Sequence, residues 1–235
     1  MLYKQKKVSS GINFLDRILN GGYENDTLTT IYGPAGSGKT NFCMIFANSL
    51  ARKGKVIYID TEKGFSVERL FQINPNYEEL MQNIIFLNPK NFEEQQKTIE
   101  LLDELITEDT KGIIFDSIAL LYRLELGKSK KIYEINRDLG MQLQKLSNIA
   151  KEKNIPIILT TQVYSDFNRE NEFKLIGGDI LSYISKTIIE VGFLKVRVPN
   201  VRYLRLVKHR SLPETKESFI ITEKGIFPYC RRSKK

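Results

Sequence analysis

The sequence predicts a single α/β domain, with a mostly parallel sheet flanked by helices and antiparallel strands towards its C-terminal end. Its 235 residues suffice for one large domain. Apolar β-rich runs alternate with stretches of helical spacing, and from Lys186 onward strands follow one another without helices between them. Alternation is typical of a parallel sheet covered on both faces, whereas consecutive strands favour antiparallel pairing at its edge. We expect one domain over residues 1–235, with basic tails at residues 1–7 and 229–235.

The individual elements follow from local patterns along the chain. A short amphipathic helix is predicted from Gly11 to Leu19, before a pair of glycines. Crossover helices then separate five buried strands, predicted at Leu28 to Tyr32, Val56 to Asp60, Ile84 to Leu87, Gly112 to Asp116 and Pro156 to Thr161. Three further strands are predicted at Thr187 to Leu194, Val201 to Lys208 and Ser218 to Thr222.

Composition and charge exclude several classes of protein. A chain with 41% hydrophobic and 27% charged residues is not disordered. The formal charge of +8 favours a polyanionic partner such as nucleic acid, although a well-solvated basic surface explains it equally well. No uncharged apolar run reaches the roughly 18 residues of a membrane span. Cys43 and Cys230 follow no signal peptide, so we expect a cytoplasmic protein without disulfides or membrane association.

The most specific motif is a phosphate-binding loop, or Walker A motif. It matches G-x-x-x-x-G-K-[ST] and comprises Gly33, Pro34, Ala35, Gly36, Ser37, Gly38, Lys39 and Thr40, followed by Asn41. A predicted strand precedes it and a predicted helix follows, so backbone N–H groups and the helix N-terminus can surround a phosphate. Lys39 is expected to reach the β and γ phosphates and the Thr40 hydroxyl to ligate Mg²⁺.

Polar residues at three other strand ends are candidates for the same site. Asp116 closes an apolar strand and fits the Walker B role of holding Mg²⁺ through a water molecule; capping of the next helix is the alternative. Glu62 lies just beyond a strand tip and is a candidate base, or else a solvated loop carboxylate. Gln162 follows a third strand and is a candidate γ-phosphate sensor, or else a polar surface residue.

With these motifs in place, the chain resembles the RecA/RadA recombinase core, in particular the RadB group of archaeal RadA paralogues. The ordered set of motifs covers nearly the whole chain: Val8-Ser9-Ser10-Gly11-Ile12, the phosphate loop, Tyr58-Ile59-Asp60-Thr61-Glu62, Glu68-Arg69-Leu70, Phe115-Asp116-Ser117, Thr161-Gln162-Val163, Gly177-Gly178 and Leu212-Pro213-Glu214. The resemblance implies a RecA-like P-loop NTPase core that uses ATP and Mg²⁺. It assigns Glu62 as catalytic glutamate, Asp116 as Walker B carboxylate and Gln162 as γ-phosphate sensor, and implies that the flat Arg69 guanidinium stacks on adenine.

The resemblance also implies two DNA-binding loops, at Leu124 to Lys131 and at Tyr164 to Ile176. The basic residues that become candidate DNA-phosphate contacts are Lys130, Lys131, Arg169 and Lys174, with solvated loop charges as the alternative.

A second basic segment is expected to act between subunits. Lys208 and Arg210 are two residues apart, and on one strand they would point to the same side. The Lys208-His209-Arg210 segment resembles the one by which RecA-like and KaiC-like subunits contact a neighbour's γ-phosphate. The interpretation is a trans-acting pair in a homo-oligomer.

Departures from the recombinase pattern limit the activity that the resemblance implies. No counterpart of the helical N-terminal DNA-binding domain of RadA precedes Val8, and no Phe-x-x-Ala tetrad occurs. The resemblance therefore implies an ATP- and DNA-binding accessory or regulator of homologous recombination and repair, with weak ATPase and no strand exchange. Its expected partners are single-stranded or branched DNA and recombination proteins such as a RadA-type recombinase or a Holliday-junction resolvase. Two alternatives stay open: a strand-exchange recombinase, and a KaiC-like signalling ATPase that binds proteins rather than DNA.

Overall fold

The computed structural model describes residues 6–128, 130–165, 173–194 and 200–230. Its strands are β1 (Lys7–Val8), β2 (Tyr23–Glu24), β3 (Leu28–Tyr32), β4 (Lys55–Asp60), β5 (Ile84–Leu87), β6 (Thr110–Asp116), β7 (Ile157–Thr161), β8 (Val163–Ser165), β9 (Phe173–Leu175), β10 (Thr187–Phe193), β11 (Val201–Lys208), β12 (Thr215–Thr222) and β13 (Gly225–Pro228). Its helices are α1 (Asn13–Ile18), α2 (Lys39–Ala51), α3 (Val67–Ile73), α4 (Tyr77–Met81), α5 (Phe92–Leu105), α6 (Leu120–Lys128), α7 (Ile132–Lys153) and α8 (Gly178–Ile184).

Nine of the described strands form one central sheet, in the order β13-β12-β11-β10-β3-β7-β6-β4-β5. Neighbours from β10 to β5 run parallel, and β11, β12 and β13 extend the sheet by antiparallel pairing. The predicted fold class is confirmed. The bounds of β3, β5 and β11 agree with the prediction residue for residue, because β-branched and aromatic runs favour strands.

Helices cover both faces of the sheet, and each face buries its own hydrophobic core. Along β4, Val56 and Tyr58 join the core under α2, whereas Ile57 and Ile59 join the core under α5 and α7. Successive side chains of a strand point to opposite faces, so a strand buried on both sides has apolar residues throughout. None of the described helices combines the length and apolarity needed to cross a membrane.

The parallel strands share one carboxyl edge, and that edge positions the candidate site. β3, β7, β6 and β4 are four consecutive strands of the sheet, and they end at Tyr32, Thr161, Asp116 and Asp60. Ligands in open α/β sheets bind just beyond such an edge. The loops that follow these four strands therefore converge.

Most of the first predicted DNA-binding loop, Leu124 to Lys131, is helical, so the prediction of a loop there is wrong. α6 runs through Lys128 and α7 begins at Ile132, so Leu124 to Lys128 is helical. The helix is held because Leu121 and Tyr122 are buried and Leu126 packs against the core under α5 and α7.

The predicted tails are also shorter than expected. Lys7 pairs with Glu24 across β1 and β2, and the Tyr229 N–H donates to the Ser218 carbonyl at 2.8 Å. Backbone pairing therefore extends into both segments, and only residues 1–5 and 231–235 of them lie outside the described residues.

Candidate nucleotide site

The phosphate loop leaves β3 at Gly33 and enters α2 at Lys39. Gly33 passes so close to β10 that a Cβ atom on it would lie 2.0 Å from the Val191 carbonyl oxygen. Gly36 and Gly38 have left-handed φ angles of 73° and 105°, which favour glycine. The loop consequently presents its backbone N–H groups next to the N-terminus of α2, an arrangement that suits a phosphate group.

Two side chains of the loop, Lys39 and Ser37, are buried. Lys39 is 7% exposed, and its Nζ donates to the carbonyl oxygens of Gly33 at 2.9 Å and Pro34 at 3.0 Å. Burial lowers the pKa of Lys39, while the charges of Glu62 and Asp116 oppose that shift. Ser37 Oγ is buried without a hydrogen-bond partner among the described residues and packs inside the loop against Gly33.

Asp116 ends β6 beside the phosphate loop and is 2% exposed. Its carboxylate accepts hydrogen bonds from Thr160 Oγ1 and from Tyr58 OH at 3.2 Å. Burial raises the pKa of Asp116, and the hydrogen bonds from Thr160 and Thr40 oppose that shift. A hydroxyl and a carboxylate next to a phosphate cradle are hard oxygen ligands of the kind Mg²⁺ prefers. The predicted Walker B placement of Asp116 therefore fits a cation held between Thr40 and the phosphates.

Glu62 and Gln162 meet at the same edge, as predicted. Glu62 Oε1 accepts from Ser117 Oγ at 2.7 Å and from Gln162 Nε2 at 3.1 Å. Asp60, at the end of β4, holds the chain beyond Glu62 by accepting from the N–H groups of Gly64 and Phe65. The loops after β4, β6 and β7 are thus joined by one carboxylate that faces the phosphate cradle.

Arg69 lies on α3, whose N-terminus is capped by Ser66 Oγ accepting from the Arg69 N–H at 3.1 Å. Its guanidinium donates to Asn41 Oδ1 at 2.7 Å and to the carbonyls of Thr222 and Glu223, both at 2.8 Å. These bonds lie in the guanidinium plane, so they fix its orientation without using its flat faces. Arg69 and Asn41 therefore lie together at the start of α2, and adenine stacking stays a prediction for Arg69.

Two of the predicted DNA contacts sit between α6 and α7. Lys130 is exposed in that short link, and Lys131 Nζ lies 3.2 Å from Glu134 Oε2 in the first turn of α7. Arg169 lies outside the described residues, and Lys174 lies on β9.

The second predicted DNA-binding loop, Tyr164 to Ile176, begins two residues after Gln162. Strands β8 and β9 pair antiparallel at its base, with Tyr164 opposite Lys174, and Thr161 Oγ1 donates to the Ile176 carbonyl at 2.9 Å. Gln162 therefore joins the nucleotide site to the base of this loop.

The structure corrects the placement of the Lys208 and Arg210 pair. β11 ends at Lys208, so Arg210 does not lie on the strand, and the argument from spacing fails. Lys208 Nζ donates to the Ser182 carbonyl at 2.6 Å, whereas Arg210 pairs with Glu24 at 3.0 Å and Asp26 at 3.2 Å. After Lys208 the chain leaves the strand, and the Arg210 side chain is held by two carboxylates near β2.

Several residues of the site are missed by the sequence reasoning. Thr160, Tyr58 and Ser117 bind the two carboxylates, and Arg202 Nη2 on β11 donates to the Gly36 carbonyl at 3.2 Å. Thr160 could have been found, since a hydroxyl at the carboxyl end of a buried strand calls for a partner. Arg202 gives no such signal, because its strand lies two places from β3 only in the folded sheet.

Comparison with known proteins agrees with this arrangement. Residues 4–229 match the family model of Rad51. The chain is 40% identical over 220 residues to the DNA repair and recombination protein RadB of Methanobrevibacter smithii, covering 90% of this chain and 92% of the relative. It is 41% identical over 214 residues to the RadB of Methanocaldococcus jannaschii, covering 90% and 98%.

A solved structure is similar over the same extent. A crystal structure of the RadB recombinase superposes with a TM-score of 0.78 at 37% identity, covering 93% of this chain and 97% of that one. Both the fold and the sequence therefore place the chain among RecA-like proteins. It belongs to the Rad51 family and, within that family, to the archaeal RadB group.

Proposed function

We propose that this chain is an ATP- and DNA-binding accessory or regulator of homologous recombination and DNA repair. The observation that carries the proposal is the meeting of the phosphate loop, Asp116, Glu62 and Gln162 at one sheet edge, with the second predicted DNA-binding loop beginning two residues after Gln162. Relatives named as RadB DNA repair and recombination proteins support the choice of DNA over other ligands.

Each side chain of the site has a role that its chemistry allows. Lys39 binds the β and γ phosphates with its buried ammonium group, and the loop N–H groups bind the remaining phosphate oxygens. Thr40 would ligate Mg²⁺ directly and Asp116 would hold it through a water molecule, and the cation would supply positive charge next to the phosphates. Glu62 orients a water molecule towards the γ-phosphate and accepts its proton.

Nucleotide binding acts mainly as a conformational switch on DNA affinity. Gln162 donates to Glu62 on one side and continues into β8 on the other. A γ-phosphate that draws the Gln162 amide away from Glu62 moves the start of β8 and with it the base of the loop. A ligand shifts such an equilibrium only by its differential affinity for the two states, so weak hydrolysis does not prevent switching.

The proposed partners are single-stranded or branched DNA and a recombination protein such as a RadA-type recombinase or a Holliday-junction resolvase. In a homo-oligomer, Lys208 is the better candidate for contacting a neighbour's phosphate. It is exposed at the end of β11 with a single backbone acceptor, whereas Arg210 would have to leave two carboxylates.

The proposal is tested by the salt dependence of DNA binding. Fluorescence anisotropy of a labelled single-stranded oligonucleotide is measured over a salt series, with and without ATP and Mg²⁺. We expect log K to fall linearly with log salt, because phosphate contacts release counterions, and K to change when Mg²⁺ and ATP are added. Failure to bind at low salt would reject the DNA function and favour a KaiC-like ATPase that binds proteins.

A further inference from the structure

A second positively charged site lies at the edge of the sheet opposite the nucleotide site. It is an open cavity of about 300 Å³, bordered by β1, the start of β6 and the turns that precede β3, β4 and β7. Five lysines line it: Lys6, Lys7, Lys53, Lys111 and Lys153. They come from four separate segments of the chain, so only the fold brings their charges together.

Most of this charge is not neutralised within the described part of the chain. Lys111 pairs with Asp109 at 3.1 Å, and Lys7 Nζ donates to the Leu19 carbonyl at 2.6 Å. Lys6, Lys53 and Lys153 are exposed and make no side-chain hydrogen bond or ion pair with any described residue. No acidic residue is among those that line the cavity. Like charges that outnumber the counter-charges next to them attract a polyanion.

The position of the cavity separates it from the nucleotide site. It adjoins the amino ends of the parallel strands, whereas the phosphate loop, Glu62 and Asp116 follow their carboxyl ends. Strands of five residues at about 3.3 Å each place the two edges roughly 16 Å apart. Anions bound at the two edges therefore do not share side chains.

The lining chemistry favours the backbone of duplex DNA. Lysine ammonium groups are flexible point charges that contact phosphates without reading bases. No aromatic residue lines the cavity, and unpaired bases of single strands bind through stacking on aromatic side chains. We propose that the lysine-lined cavity binds the phosphate backbone of duplex DNA. This inference rests on the proposed DNA-binding function and adds a duplex site to the single-strand loops, as a ligand of branched DNA requires.

The test is charge reversal at two lysines of the cavity. Lys53→Glu combined with Lys153→Glu is compared with Lys90→Glu combined with Lys224→Glu, which changes the net charge equally. Lys90 and Lys224 are exposed, lie outside the cavity and make no side-chain ion pair with a described residue. Thermal unfolding of both variants checks that each is folded, since all four substitutions are at the surface.

Binding of a labelled 20-base-pair duplex is measured by anisotropy between 50 and 200 mM salt. For the cavity variant, we expect the slope of log K against log salt to shrink by about 1.8, at about 0.9 per lost phosphate contact. The affinity of the wild type then falls about twelvefold further than that of the variant over this range. The control variant is expected to keep the wild-type slope.

Equal slopes for the two variants would overturn the cavity assignment and leave the proposed function intact. So would a wild type that binds single-stranded DNA but not the duplex. A wild type that binds neither form of DNA would reject the proposed function itself, which is a different result.

Discussion

Gly33 and Gly36 belong to the same loop motif, yet the structure predicts unequal effects when each is replaced by alanine. A Cβ on Gly33 would lie 2.0 Å from the Val191 carbonyl oxygen, where real contacts are not shorter than 3.0 Å. The loop or β10 must therefore move by about 1 Å, and overpacking of this kind costs about 3 kcal/mol. In Gly36→Ala, the new methyl group meets nothing closer than Phe193 Cζ at 3.8 Å. Only the positive φ angle of 73° is strained, at about 1 kcal/mol.

These free energies translate into melting temperatures. For a domain of this size, each kcal/mol lowers Tm by about 2–4 °C. Gly33→Ala should lose about 6–12 °C and Gly36→Ala about 2–4 °C, as measured by circular dichroism without nucleotide. Binding of a fluorescent ATP analogue should weaken about a hundredfold in Gly33→Ala, since the phosphate cradle moves by about 1 Å. Equal losses of Tm in the two variants would refute the argument from the close approach to β10.

Three further predictions concern the charged residues of the chain. Burial raises the pKa of Asp116 above its ordinary value of 3.8. The unfolded chain therefore loses this proton at lower pH than the folded protein does, and the free energy of unfolding of the wild type falls as pH rises from 3.8 through the raised pKa. Without Mg²⁺, urea unfolding should therefore show Asp116→Asn gaining stability relative to wild type between pH 4 and pH 7. A constant difference would contradict this. Glu62→Gln should keep nucleotide affinity but lower single-turnover ATP hydrolysis by about 10²–10⁴-fold, because the base is lost; an unchanged rate would exclude Glu62 as base. Arg210→Ala should lower the free energy of unfolding, measured in urea, by about 2 kcal/mol. Glu24 is 3% exposed and loses an ion-pair partner, which is costly for a buried carboxylate, but Arg210 is 41% exposed, which reduces the cost. Unchanged stability would show that this pair contributes nothing.

Local patterns predict the central sheet well because its strands are buried on both faces. The apolar run around Tyr58 predicts a strand. The phosphate-loop motif predicts the strand β3 before it and the helix α2 after it. Short elements are different: α3, α4 and α8 hold seven residues or fewer, and β13 holds four. Their formation depends on tertiary contacts, such as the bonds from Arg69 to the turn between β12 and β13.

The sequence predicts the site residues that end a single strand, but it does not predict their hydrogen-bond partners on neighbouring strands. Asp116 and Glu62 are recognisable, since each follows a buried run. Their contacts with Thr160 and Ser117 form because β7 and β4 flank β6 in the sheet. No local sequence pattern predicts that strand order. The spacing argument for Arg210 fails because β11 ends at Lys208, and Arg210 then pairs with Glu24 and Asp26, which are distant in sequence.

We propose that the nucleotide site controls DNA affinity through Gln162. The most direct measurement compares the affinity for a single-stranded oligonucleotide, with and without Mg²⁺ and ATP, in wild type, Lys39→Ala and Gln162→Ala. We expect nucleotide to change the affinity of the wild type and to leave both variants unchanged, although Gln162→Ala still binds the fluorescent ATP analogue. A Gln162→Ala protein whose DNA affinity responds to nucleotide as the wild type does would contradict the account.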